Sequence, residues 1–185
     1  RELRGKGVSY CATCDGAFFR GKETVVVGGG DTAAADAVFL AKLCKKVTVI
    51  HRRDKLRASM AYAKPLREAG NVEFAWDSVV EEIEQQGGLV SGVKIRNVKT
   101  GEIRQISCEG IFIAVGNLPN TSLFPDSIKT QGGYLDAGED TRTKIAGVFA
   151  AGDVRRKPLR QVVTAAADGA VASYMAEEYL QTGLA

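Results

Sequence analysis

The sequence predicts an α/β fold, a parallel sheet packed by helices and joined to an antiparallel meander. Three observations predict it. An apolar, β-branched run at 24–27 passes through Gly28-Gly29-Gly30 into an Ala-rich helical stretch, then out to a second short strand at 47–50. Further short apolar runs at 72–75 and 111–115 have the length and composition of strands. Between them, segments at 79–86, 89–98 and 103–108 are separated by Gly87-Gly88 and by "KTGE", as in a β-meander.

Composition bounds the function. The chain has 185 residues, 45% hydrophobic and 25% charged, which excludes disorder and collagen-like repeats. A net charge of only +3 does not suggest nucleic-acid binding. No apolar run approaches the ~20 residues of a membrane span. The opening "RELRGKG" has no apolar stretch behind its charges and does not read as a signal peptide. The chain begins with Arg1 rather than Met, as a processed product or a fragment would.

The four cysteines are Cys11, Cys14, Cys44 and Cys108. A structural zinc site needs two short-spaced pairs or histidines, whereas Cys44 and Cys108 are isolated and His51 is the sole histidine, so no metal is expected. "YCATCDG" leaves two readings: unreactive thiols or a static disulfide closing a tiny loop, and a redox pair. A two-residue spacer lets one sulfur attack while the other resolves the mixed disulfide. Asp15, directly behind Cys14, adds a group able to give or take a proton. The spacing favours the redox reading modestly.

The stretch at 24–50 is one βαβ unit. Its glycines read G28-x-G30-x-x-A33. Gly28 turns the chain, Gly30 lets a pyrophosphate approach the backbone, and Ala33 permits close packing of helix on strand. With Gly29 this loop precedes a helix, capped by Asp31 or Thr32 and running to about Cys44, whose N-terminus favours anions. At the end of the second strand an NAD site would carry an acid. Here "HRRDKLR" supplies Arg52, Arg53 and, one helical turn on, Arg57, which read either as a solvated basic surface turn or, favoured by their place at the strand's carboxyl end, as a phosphate-binding set that points to NADPH through its 2′-phosphate. His51 reads equally as an adenosine contact or as a spacer.

A helix containing Pro65 is expected over 54–69. The strand at 111–115 ends in Gly116, where open α/β sheets bind ligands. Composition shifts beyond it, which places a domain boundary near 117–120. In the last third, "GVFAAGDV" reads as a strand ending in Gly152-Asp153, whose carboxylate either accepts from a polyol such as ribityl or is an ordinary strand end. "RQVVTAAADGAVASYMAEEYL" reads as a long helix, and N–H groups near Arg160, Gln161 and Val162 would stabilise negative charge on a ring.

The stretches "YCATCDGAFF", "VGGGDTA", "HRRDKLRA", "GVFAAGDV" and "RQVVTAAADGAVA" occur together and in this order. In this the chain resembles the bacterial low-molecular-weight thioredoxin reductases. Peroxide-linked and ferredoxin-linked flavoprotein relatives are weaker matches. The resemblance implies a Rossmann-like FAD/NAD(P)-binding domain with a β-meander over residues 1–117, carrying the redox pair, and the C-terminal part of a second FAD-binding domain over 118–185.

The resemblance also implies an activity, the reduction of thioredoxin or a thioredoxin-like protein with electrons passing from NADPH through FAD to Cys11 and Cys14. Asp15 would be the acid–base group, and residues 28–33 would hold the NADPH diphosphate. Arg52, Arg53 and Arg57 would hold the 2′-phosphate. Gly152, Asp153, Arg160, Gln161 and Val162 would meet FAD. A homodimer is implied by the family alone, and a cytoplasmic location by the reducing chemistry. One departure is the lack of a second glycine fingerprint for the FAD diphosphate, so the chain resembles the C-terminal two-thirds of such an enzyme. It is then expected to bind NADPH, hold FAD poorly and be inactive alone. "AAADA" at 33–37, where relatives carry acids, is a second departure. The alternative is a non-enzymatic NADPH-binding module whose cysteine pair merely toggles.

Overall fold

The computed structural model describes residues 2–183. The chain divides into two compact units between Gly116 and Asn117, one residue ahead of the boundary expected from composition.

In the first unit, β1 (Val8–Ser9), β2 (Glu23–Val27), β3 (Lys46–Ile50), β4 (Val72–Ala75) and β8 (Gly110–Ile113) form a five-stranded parallel sheet in the order β1-β8-β2-β3-β4. β5 (Ser78–Gln86), β6 (Leu89–Asn97) and β7 (Ile103–Ser107) form a three-stranded antiparallel sheet. The unbroken valine run of β2 has a physical cause. Successive side chains point to opposite faces, and both faces are covered. Val26, Val47, Val49 and Phe112 pack against Ala33, Ala34, Ala37 and Leu40 of α2 (Asp31–Ala41) and Leu66 of α3 (Met60–Glu68). On the opposite face Val25, Ile50 and Ile111 meet Val90, Val93 and Ile95 of the meander. Each of these buried valine, isoleucine, leucine and phenylalanine side chains stabilises the unit by about 1.5–3 kcal/mol.

Two helices differ from expectation. α2 ends at Ala41, short of Cys44, because the chain must turn to enter β3 at Lys46. Asn71 satisfies carbonyls at that turn, donating from Nδ2 to Ala41 O (2.9 Å) and Cys44 O (3.0 Å). α3 begins only at Met60, not at 54, and contains Pro65. The residues ahead of it are irregular because their backbone bonds are made elsewhere, as described below.

In the second unit "GVFAAGDV" is not a strand. It has only an isolated bridge, Arg142 with Phe149, and Gly152–Val154 is a single 3-10 turn. Its apolar residues instead fill a small core, with Val148, Ala150 and Val154 against Ile128, Leu135 and Ala137. α4 (Val162–Thr182) starts after Arg160 and Gln161. Gln161 is its cap, in a reciprocal capping box with Thr164, and Gly183 ends it in a left-handed conformation.

The unit is tied together by a buried ion cluster. Asp168 of α4 accepts a two-pronged contact from Arg155, Nη2 to Oδ1 at 2.8 Å and Nε to Oδ2 at 3.1 Å. It also accepts from the Gly152 N–H at 2.9 Å and pairs with Lys157. These hydrogen bonds, Arg155's foremost, hold the Asp168 carboxyl well below its ordinary value of 3.8. Asp168→Ala strands two buried cations, and is expected to destabilise this unit by about 3–5 kcal/mol, read as lost amide protection across α4. The lowered carboxyl pKa fixes the sign of the pH effect. The contribution is complete above the unfolded value and disappears as pH falls through the folded one. Acid titration of α4 protection checks this.

Candidate active site

Beyond β2 the chain makes a turn that only glycine permits. Gly28 has φ of 152°, and a Cβ there would lie 2.4 Å from the Ala114 carbonyl oxygen. At Gly29 a Cβ would lie 2.4 Å from the His51 ring. A Cβ at Gly30 would meet nothing within 4 Å, so its open side faces free space. Gly30, and neither Asp31 nor Thr32 as expected, is the cap residue of α2. The Asp31 carboxylate is occupied elsewhere, accepting the Ser59 N–H at 2.7 Å.

This turn forms one wall of a cleft of about 560 Å³. Gly28, Gly29, Gly30, Asp31, Thr32, His51, Arg52, Arg57 and Gly116 all line it. Ala33 lies beneath it in the core. Arg53 is not among the lining residues, and Arg57 does not follow it by a helical turn. The segment is held open because the Arg53 carbonyl accepts the Asp77 N–H (3.2 Å), while the Arg57 and Ala58 N–H groups donate to Gly29 O at 2.7 and 3.1 Å. His51 is buried, and its Nε2 has no partner among the described residues. Burial, then the charges of Arg57, Arg53 and Arg52, lower its pKa and keep the ring neutral. Sequence reasoning missed Ser78, Val79 and Val80 of β5 and Val115, which line the cleft with the strand ends Val27, Ile50 and Ala114. It also missed Ser59, whose role lies in its backbone and leaves no side-chain signature.

The cysteine pair sits on the short helix α1 (Ala12–Asp15), with Cys11 as its cap. Cys11 and Cys14 form a disulfide. Cys14 is exposed and Cys11 half-buried. The Cys14 N–H contacts the Cys11 Sγ at 3.1 Å. Ser9, also missed, is buried beside them. Its hydroxyl donates to Asp15 Oδ2 at 2.7 Å and accepts the Cys11 N–H at 3.1 Å. Cys44 and Cys108 are buried, and burial raises both thiols, Cys108 to about 12, so neither is a thiolate near neutral pH. No group of three or more possible metal ligands occurs among the described residues. No helix among them is long and apolar enough to cross a membrane.

In the second unit the remaining expected residues come together around the start of α4. Arg160 lies 4.0 Å over the Tyr134 ring and donates from Nε to Asp153 O (3.2 Å). Asp153 and Val162 are exposed, beside Gly152 and the Gln161 cap.

The first unit thus combines a parallel sheet, a glycine turn and cleft at the sheet's carboxyl edge, and a disulfide. Residues 1–169 match the pyridine nucleotide-disulphide oxidoreductase family, and the chain belongs to it. It is 45% identical to the thioredoxin reductase of Treponema pallidum over 98% of its own length and 59% of that protein's. It is 44% identical to that of Bacillus subtilis, covering 98% of this chain and 58% of the relative. The crystal structure of thioredoxin reductase from Streptococcus pyogenes superposes with a TM-score of 0.90 at 47% identity, covering 96% of this chain and 58% of that one. The chain thus spans under two-thirds of the length of these relatives.

Gly28→Ala is expected to cost about 3 kcal/mol, from a strained φ and the Ala114 clash. Gly30→Ala costs less than about 1 kcal/mol as a cap change. Denaturant unfolding followed at the single Trp76 compares the two.

Proposed function

We propose that this chain carries the nucleotide-binding and disulfide elements of an NADPH-dependent, FAD-containing thioredoxin-disulfide reductase acting in the cytoplasm. The observation that carries the reading is a cleft with two arginines at its mouth on the same unit as a surface disulfide. The cleft fits the nucleotide. Gly30 leaves the helix start open to a diphosphate, Arg52 and Arg57 suit a 2′-phosphate, and the unpartnered His51 Nε2 awaits a polar group. Arg53 adds charge from outside the lining. The start of α4 fits FAD in kind. Exposed Val162 suits a flat ring, the helix's first N–H groups suit its negative charge, and Asp153 suits a polyol.

A nicotinamide held in the cleft by residues 28–30, Arg52 and Arg57 would supply a hydride, and a flavin held at the start of α4 would supply two-electron chemistry toward the disulfide. The chain's own groups do the rest. The Cys14 N–H stands ready to stabilise a thiolate on Cys11. Asp15, held by Ser9, gives or takes the proton as the sulfur–sulfur bond opens and closes. Exposed Cys14 is the sulfur that a thioredoxin-like partner reaches. Homodimerisation is carried over from the resemblance.

Nucleotide titration, read by energy transfer from Trp76, tests the cleft. The Trp76 ring lies 6.4 Å from that of His51, which lines it. Replacing Arg52 and Arg57 by Ala should weaken NADPH binding about 100-fold and NADH binding little. Equal losses would overturn the phosphate assignment. For the disulfide, the Cys14 thiolate of Cys11→Ser should attack a thioredoxin that lacks its resolving cysteine and whose remaining cysteine is pre-oxidised as a mixed disulfide with thionitrobenzoate, trapping the two proteins as a mixed disulfide and releasing the thionitrobenzoate anion. Cys14→Ser should trap it far more slowly. Equal trapping rates would contradict the roles given.

A further inference from the structure

Residues 52–59 have no regular helix or strand, yet they bring both arginines to the cleft. An irregular segment holds a side chain in place only as well as its backbone is fastened. At its near end the His51 carbonyl accepts the Ser78 N–H at 2.9 Å, and the Arg53 carbonyl accepts the Asp77 N–H. Asp54 pairs with Lys99 at 3.3 Å, an exposed contact of little strength. At the far end the Arg57 and Ala58 N–H groups close on Gly29 O, and the Ser59 N–H closes on the Asp31 carboxylate at 2.7 Å. That last bond is short and charge-assisted. It joins the end of the arginine segment to the first turn of the helix that receives the diphosphate.

We propose that Asp31 is a specificity-determining positioning residue. Its carboxylate anchors the Ser59 backbone and thereby holds Arg57 over the 2′-phosphate position. The inference rests on the NADPH reading above. It also explains why an acid is tolerated in a cleft for anions. By charge alone Asp31 repels either nucleotide, and the doubly charged 2′-phosphate most, so its removal should favour NADPH. The anchor predicts the reverse.

The test uses the whole chain with NADPH and NADH as probes. Asp31→Ala should lower the NADPH-over-NADH preference about tenfold. Asp31→Asn, whose amide oxygen can still accept from Ser59, should restore most of it. Ser59→Pro removes the donor while leaving Asp31 intact, and Ser59 has φ of −60°, which proline adopts. It should match Asp31→Ala, and combining the two should add nothing. Amide exchange at Ser59 without nucleotide gives a separate readout, slow in the wild type and fast in Asp31→Ala. An unchanged or increased preference in Asp31→Ala overturns the anchor while leaving the NADPH reading intact. A wild type without preference overturns the NADPH reading and the specificity role together, even where Ser59 stays protected.

Discussion

The close approach of Gly28 to the Ala114 carbonyl is the constraint on which the cleft at the sheet's carboxyl edge depends. β2 and β8 are hydrogen-bonded neighbours, and the chain leaving β2 must turn within one residue to bring α2 onto the sheet. The Gly28 N–H donates to Ile50 O at 3.0 Å, so the turn is also pinned to β3. Given that turn, the N-terminus of α2 lies at the carboxyl edge of the sheet, and the end of β3 delivers His51 and Arg52 to the same edge. Ala33, Ala34 and Ala37 let the helix settle close enough for this to hold. The core is therefore built around the geometry of the turn as much as around apolar area.

The disulfide obeys a different logic. α1 is too short to be stable through its own hydrogen bonds. It is placed by Ala12, buried in the core beside α2, and by Ser9 at the end of β1, which holds both the Cys11 N–H and the Asp15 carboxylate. Packing fixes the helix, and the sulfur of Cys14 remains exposed. The two other cysteines are protected by burial, so thiol chemistry is confined to one pair. In the second unit, which lacks a ladder of paired strands among its described residues, order comes from a small core and from the ion cluster around Asp168.

Much of this was legible in the sequence because its causes are local. The valine run, the glycine spacing and the alternation of the meander all reflect side-chain periodicity, and β2 to β8 lie within a residue or two of their expected ends, whereas the two-residue β1 is too short to show a period and was not expected. The cysteine pair and the glycine loop announced themselves by spacing. The arginine segment did not. Its pattern suits a helix, but its N–H groups are captured by Gly29 and Asp31, residues distant in sequence. "GVFAAGDV" failed in the same way, since an apolar run becomes a strand only where another strand pairs with it. Ser9 was invisible because its hydroxyl's role follows from its neighbours in space, and Ser59 because it acts through its backbone N–H. Arg53 shows that composition names a basic cluster without saying which member faces the cleft.

Amide-resolved titration of the chain with NADPH asks whether the glycine turn receives the nucleotide. Perturbations should concentrate at residues 28–32 and 51–58, with the Gly30 amide among the most affected and the amides of α4 unmoved. Saturable perturbations centred away from the glycine turn, or none at all, would contradict that role.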